Sequence, residues 1–145
     1  MKSTSTILKI HLMAESIIQT PSGATDWAAY LQALPDGNNI KDNAVMIRDS
    51  LGNKDGRLQA GETIIHTGCT VVVRSKDYDD GWEKINDIAV EFDSISNEDV
   101  SYSSGEIYRL HSISRLPIMP LGVEPGTKRR WMFEMRINVT MSLLA

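Results

Sequence analysis

A short stretch of this chain matches part of the pattern of a calcium-binding loop. Numbered from Leu51, its third, fifth, sixth and twelfth positions carry Asn53, Asp55, Gly56 and Glu62. Such a loop needs a carboxylate at its first position, where Leu51 offers none, and helices on both sides. The flanking residues instead show the alternation of strands. We therefore predict a loop between two strands and no calcium site.

The histidines and the single cysteine give little indication of a metal site. His66 and Cys69 are three residues apart, and in a strand an odd separation places two side chains on opposite faces. No second ligand pair accompanies them. His11 and His111 are isolated in the sequence and are expected to be partly exposed or hydrogen-bonded. The prediction is that the chain binds no metal.

The common catalytic motifs are missing from the sequence. It contains no Gly-x-Ser-x-Gly, no phosphate-binding glycine loop and no His-Glu-x-x-His. Asp77, Asp79 and Asp80 stand where they would begin a helix and stabilise its positive end. We predict no catalytic residue, no cofactor and no enzymatic activity. Because catalytic groups need not be close in sequence, an uncharacterised enzyme stays an alternative.

Composition favours one globular domain over residues 1–145. The chain has 41% apolar residues, one cysteine and a formal net charge of −4. No apolar stretch is long enough to cross a membrane, and the first residues do not resemble a signal peptide. The charge is uneven: residues 76–100 hold two basic and nine acidic groups, whereas residues 101–145 hold six and three. This asymmetry bears on partners more than on the fold.

Hydrophobic periodicity predicts an α+β fold with a mostly antiparallel sheet of about five strands and two main helices packed on it. Residues 4–19 and 78–95 have helical spacing. Strands are predicted at residues 27–33, 44–48, 63–74, 106–116 and 131–141. The last strand alternates without a break, and its buried side is predicted to hold Trp131, Phe133, Met135, Ile137, Val139 and Met141.

Two charged surfaces are predicted. The second helix should bury a stripe of Tyr78, Trp82, Ile85, Ala89, Phe92 and Ile95, and expose Asp80, Glu83, Asp87 and Glu91 on its opposite face. Residues 117–130, rich in proline and glycine, are predicted to form an extended loop or arm that ends in Lys128, Arg129 and Arg130. Such a cluster can contact DNA without sequence specificity, but more commonly it is solvated or faces a partner.

Several stretches, in order along the chain, resemble a family of phage minor capsid or tail terminator proteins from long, non-contractile-tailed phages. They are Trp27-Ala-Ala-Tyr30 before Leu34-Pro35-Asp36, Gly61 to His66 leading into Val71 to Ser75, Asp77-Tyr78 at the start of a helix, Tyr108 to Arg115, Pro120-Leu-Gly122, and the final strand after Arg130. The resemblance covers nearly the whole chain after residue 25.

The resemblance implies a structural protein that caps the tail tube, ends its elongation and joins tail to head, commonly as a homohexameric ring. The implied partners are other copies of the chain, the major tail tube protein and head connector proteins. DNA would only pass through the lumen, without specific contacts, and no membrane is involved. The protein would be made in the bacterial host cytoplasm and end in the virion, at the head-proximal end of the tail. A head-completion or connector protein is the alternative.

A ring requires one surface to contact a different surface of the neighbour. We therefore predict that Lys128, Arg129 and Arg130 reach an adjacent subunit or the tube. The acidic face with Asp80, Glu83, Asp87 and Glu91 has two alternative roles, as the receiving surface on that neighbour or as the lining of the lumen.

Overall fold

In the described part of the chain, eight strands form one curled sheet, and two helices pack against it. The computed structural model describes residues 1–20, 26–37, 40–50, 53–57, 63–126 and 128–144. The helices are α1 (Thr4–Ala14) and α2 (Tyr78–Ser94). The strands are β1 (Ala28–Leu31), β2 (Ala44–Asp49), β3 (Asn53–Arg57), β4 (Thr63–Ser75), β5 (Glu98–Ser101), β6 (Ile107–Arg115), β7 (Met119–Val123) and β8 (Trp131–Leu144).

The two longest strands, β4 and β8, form the middle of the sheet. They are antiparallel and in register from the pair of Ile64 and Ser142 to the pair of Ser75 and Trp131. The alternation predicted for β8 is confirmed, because one side of the strand buries Phe133, Met135, Ile137, Val139 and Met141. Trp131 starts this side but stays partly exposed.

Each central strand is flanked by two shorter strands that follow one another along its length. β2 pairs with the second half of β4, and β3 pairs with its first residues. In the same way, β6 pairs with the second half of β8, and β7 pairs with its beginning. β1 and β5 form the two edges. Among the described strands only β1 runs parallel to its neighbour, β2.

The α+β class and the mostly antiparallel sheet are confirmed, but the sheet has more strands than predicted. β3, β5 and β7 lacked a sequence signal because they are short and contain charged residues, proline or glycine. Their backbones nevertheless find open edges on β4, β6 and β8, and tertiary pairing of this kind overrides weak strand propensity. The prediction of a loop between two strands at the calcium-like stretch is wrong for Asn53–Arg57, which form β3, and positions Leu51 and Glu62 lie outside the described residues.

The segment predicted as an extended arm, residues 117–130, is partly a strand. Val123 pairs with Trp131 and Met119 pairs with Glu134, so β7 folds back on the start of β8. The bend at positive-φ Gly122 and a register shift between Pro120 and Gly122 accommodate this return. Part of the segment therefore pairs with its own sheet, and the segment as a whole is not a projecting arm.

Helix α2 packs very closely on the centre of the sheet. Asp77 caps it by accepting a hydrogen bond from the Asp80 backbone N–H at 3.1 Å, as its acidic start predicted. Its buried side holds Gly81, Ile85, Ile88, Ala89 and Phe92. The predicted stripe is wrong at its start, where Tyr78 and Trp82 are 39% and 40% exposed. Because Gly81 faces the sheet, the neighbouring Trp82 lies on the flank of the helix.

Helix α1 lies inside the curl of the sheet. It contacts β1, β2 and β4, and also β5 at the opposite edge. It ends at Ala14, earlier than predicted, because Ser16 adopts a positive φ of 59° and turns the chain away. The Ser5 backbone N–H and hydroxyl both donate to the Asp49 carboxylate, at 2.9 and 2.7 Å. These bonds attach the start of α1 to the end of β2.

Candidate functional surfaces

The predicted basic cluster contains a buried arginine. Arg130 is 2% exposed. Its guanidinium donates to Asp42 at 3.3 Å, to Asp36 at 3.2 Å and to Glu124. Lys128 Nζ also donates to Asp36, at 2.7 Å. The hydrogen bonds from Lys128 and Arg130 hold the pKa of the Asp36 carboxyl well below its usual value.

A second buried arginine lies beside the first. Arg74, 2% exposed, donates to the backbone carbonyls of Asp42, Pro35 and Lys41 at 3.0, 3.0 and 3.2 Å. Burial and the nearby Arg130 charge lower the pKa of Arg74. Since alternate residues of a strand face opposite sides, Arg74 lies on the side of the sheet away from α2. The loop before β2 and the turn before β8 meet there.

Of the three predicted cations, only Arg129 has no ion pair with a described residue of its own chain and can still contact a partner. Lys128 is paired with Asp36, and Arg130 is buried, which corrects the prediction that all three are charge anchors on a free arm. Arg129 is exposed and makes no ion pair with any described residue. The sequence could not show this, because Asp36 and Asp42 lie about 90 residues before Arg130.

The acidic face of α2 is exposed over most of its length. Asp80, Glu83 and Asp87 are exposed, as predicted, and no described cation pairs with them. They border an open depression of about 370 Å³ that is also lined by Asp26, Trp27, Asn43 and Lys84. The Lys84 ammonium donates to the Ile17 carbonyl at 2.9 Å and lies 5.3 Å from the centre of the Trp27 ring. The depression is therefore strongly acidic.

Glu91, the fourth predicted acidic residue, is committed to a contact inside the protein. Its carboxylate lies 2.8 Å from Nε2 of His11, which is 5% exposed. His11 was predicted to be partly exposed or hydrogen-bonded, and the structure shows it buried and hydrogen-bonded. The contact joins α1 to α2 across 80 positions of sequence. The spacing of residues along the chain therefore could not predict the contact between His11 and Glu91.

The other histidines and the cysteine take part in hydrogen bonds. His111 contacts Asn97 and Ser142, at 2.9 and 2.8 Å, and His66 contacts Thr140 at 3.0 Å. Cys69 is buried, and its thiol points to Asp49 at 3.7 Å. Burial, with the Asp49 charge, raises the pKa of Cys69 to about 12. This thiol is not suited to act as a nucleophile.

Besides Met1 and Ile107, the exposed large apolar side chains of the described residues form two groups. On α2 they are Tyr78, Trp82 and Val90, and at the junction of β6 with β7 they are Leu116, Met119 and Leu121. Tyr78 makes edge-on ring contacts with Trp131 and Phe133 at the start of β8. Aromatic residues are enriched at protein–protein interfaces, so the exposed rings on α2 are compatible with a partner contact.

No protein-family model matches the chain, and no curated protein matches its sequence. Within the described residues, neither helix combines the length and the apolar character that a membrane crossing demands.

Proposed function

We propose that this chain is a structural protein of phage assembly, which forms a ring at the end of the tail tube, stops its elongation and joins the tail to the head. The proposal rests on the family resemblance and on one structural observation. Among the described residues, carboxylates without a cationic partner lie on α2, and an exposed arginine without an ion pair, Arg129, lies in the turn before β8. A ring is built from such a heterologous contact, in which two different surfaces of identical subunits meet.

The acidic surface is the depression on α2 with Asp80, Glu83 and Asp87. These carboxylates are exposed and have no cationic partner among the described residues. The partly buried ring of Trp27 lines the same depression, so the surface also offers apolar contact area. An interface with an aromatic anchor and a charged rim fits this composition.

The basic surface is the turn before β8, where Arg129 is exposed. Its neighbour Arg130 shares Asp42 with Arg74, so the turn is held against the loop before β2. The three ion pairs of the buried Arg130 side chain fix the turn, so Arg129 is presented from a rigid support. A preorganised contact of this kind loses less conformational entropy on binding than a free arm. We therefore assign the intersubunit contact to Arg129 and the acidic depression of the next subunit.

A charge exchange tests this assignment. Arg129→Glu and Glu83→Arg should each abolish rings in negative-stain images and in size-exclusion chromatography with light scattering, because each places like charges at the contact. The double variant should restore rings. Arg48→Glu, a charge reversal at an exposed arginine of β2, is the control and should leave rings intact.

If the free protein is monomeric, the same variants are to be mixed with purified tail tubes. A protein that stays monomeric with and without tubes would overturn the proposal. Binding to heads but not to tail tubes would indicate a connector instead. If Glu83→Arg kept the rings but impaired passage of DNA, the acidic face would line the lumen instead of contacting the next subunit.

A further inference from the structure

Three side chains that can bind metal ions meet where α1 ends against α2. His11 Nε2 lies 2.8 Å from Glu91 Oε1. Glu15 follows His11 by one helical turn and points to the same place. One ligand atom from each of the three residues lies within 4.8 Å of the others. Two elements distant in sequence therefore bring one imidazole nitrogen and two carboxylates together.

This set of donors matches a borderline transition metal better than calcium or magnesium. Zinc is bound by histidine nitrogen and carboxylate oxygen at about 2.0–2.2 Å, so tetrahedral ligand atoms lie about 3.3 Å apart. His11 and Glu91 are already close to that separation. Glu15 is exposed and can rotate toward them. Calcium and magnesium prefer oxygen ligands throughout.

The surroundings of His11 also fit a metal ligand. The ring is 5% exposed, so its orientation is fixed by packing. Glu98 Oε2 lies 3.8 Å from Nδ1, the nitrogen that keeps its proton when a metal binds Nε2; this is within ion-pair reach, and a small side-chain rotation would bring it to hydrogen-bond distance. A carboxylate behind a ligating imidazole is the usual second contact at zinc sites. In the described part of the chain no lysine or arginine pairs with Glu15, Glu91 or Glu98, so a bound cation would offset their charge.

We propose that His11, Glu15 and Glu91 bind a divalent transition-metal ion, with zinc as the ion that fits best and Glu98 supporting the imidazole. The ion would clamp the end of α1 to α2 and β5. Its role is structural, and the proposal does not depend on ring formation, because all its ligands come from one chain.

Isothermal titration of the full, EDTA-treated protein with zinc chloride tests the site. We expect one zinc per chain and a rise in the melting temperature of about 5 °C or more when free zinc is about a hundredfold above the dissociation constant. Glu15→Gln and Glu91→Gln should each weaken binding at least about tenfold, since each removes a ligating charge. Asp79→Asn, at an exposed position of α2 outside both proposed sites, should bind zinc like the parent.

If a substitution at Glu91 disturbs folding, Glu15→Gln still tests the site, because Glu15 is exposed and its substitution should leave the fold intact. The chain has only three histidines, so the ring signals in ¹⁵N NMR spectra can be separated. Zinc should shift the His11 ring and leave those of His66 and His111 unchanged. The proposal is overturned by no binding up to about 100 μM zinc, by equal binding of Glu15→Gln and the parent, by a shift at another histidine, or by equal binding of magnesium or calcium.

Discussion

Two buried guanidinium groups, those of Arg74 and Arg130, hold together the loop before β2 and the turn before β8. Arginine stays charged in proteins, so a buried pair of them needs several acceptors. Arg74 donates hydrogen bonds to three backbone carbonyls, and Arg130 donates to three carboxylates. Removing one of these arginines would leave partly buried acceptors without their donor.

The contrast between Arg130 and Arg129 gives a matched pair of substitutions. Arg130→Met should lower the free energy of unfolding by about 1–3 kcal/mol, because Asp42 and Glu124 lose a charged partner while lying partly buried. Arg129→Met should change it by less than about 0.5 kcal/mol, since that side chain is exposed. Urea unfolding at pH 7 measures both. Equal effects would show that Arg130 is not held as described.

The same comparison should depend on pH. The pKa of Asp36 is lowered in the folded protein, so its contribution to stability is present above the ordinary value of 3.8 and is lost as the pH falls through the lowered pKa. The difference between Arg130→Met and the parent should therefore shrink below about pH 4. A difference that grows in acid would contradict the ion pairs.

At the scale of elements, α2 depends on a glycine for its distance from the sheet. A Cβ atom on Gly81 would lie 2.6 Å from Phe133 Cε2 and 2.8 Å from Ser75 Cβ. Phe133 and Ser75 are fully buried and have little room to move. The helix can therefore approach the sheet this closely only because position 81 has no side chain.

Gly81→Ala tests that packing. Alanine favours a helix over glycine by about 1 kcal/mol. We nevertheless expect a net loss of about 1–3 kcal/mol in the free energy of unfolding, because the added methyl group forces α2 away from Phe133. Asp87→Ala, an exposed position of the same helix, is the control and should be neutral or slightly stabilising. If Gly81→Ala proved more stable than the parent, the close approach would be wrong.

The elements that could be predicted are those whose own sequence carries a period. α2, β4 and β8 were placed within a few residues because their apolar residues repeat at helical or strand spacing. β3, β5 and β7 were missed because their strand conformation comes from the neighbours that they pair with. The functional residues divide in the same way. Exposure of Asp80, Glu83 and Asp87 followed from the helix pattern, whereas the contacts of Arg130 and His11 depend on partners about 80–90 positions away.

At the scale of the whole molecule, Cys69 can report on opening of the sheet. It lies in β4 at 1% exposure, and β4 is covered by β2 and β8 along its two edges. The pKa of its thiol, raised to about 12 by burial and by Asp49, keeps it protonated at neutral pH. A thiol reagent should therefore reach it only when the central strands separate.

Native protein should react with Ellman's reagent at pH 8 far more slowly than protein in denaturant, and the slow rate should follow global unfolding. It is the only cysteine of the chain, so the signal needs no assignment. A cysteine introduced at exposed Ser114 in β6 is the positive control and should react at once. Rapid reaction of native Cys69 would mean that the centre of the sheet opens locally.

The position of β8 in the sheet has a consequence for synthesis of the chain. β8 follows the seven other described strands in sequence, yet it pairs with β4, β6 and β7. While the ribosome is still making it, β4 has an open edge rich in valine, and β6 has no partner toward the centre. Open edges of this kind invite pairing with other chains. The nascent chain should therefore be prone to association with other chains until β8 emerges, and the sheet should close only after β8 is synthesised.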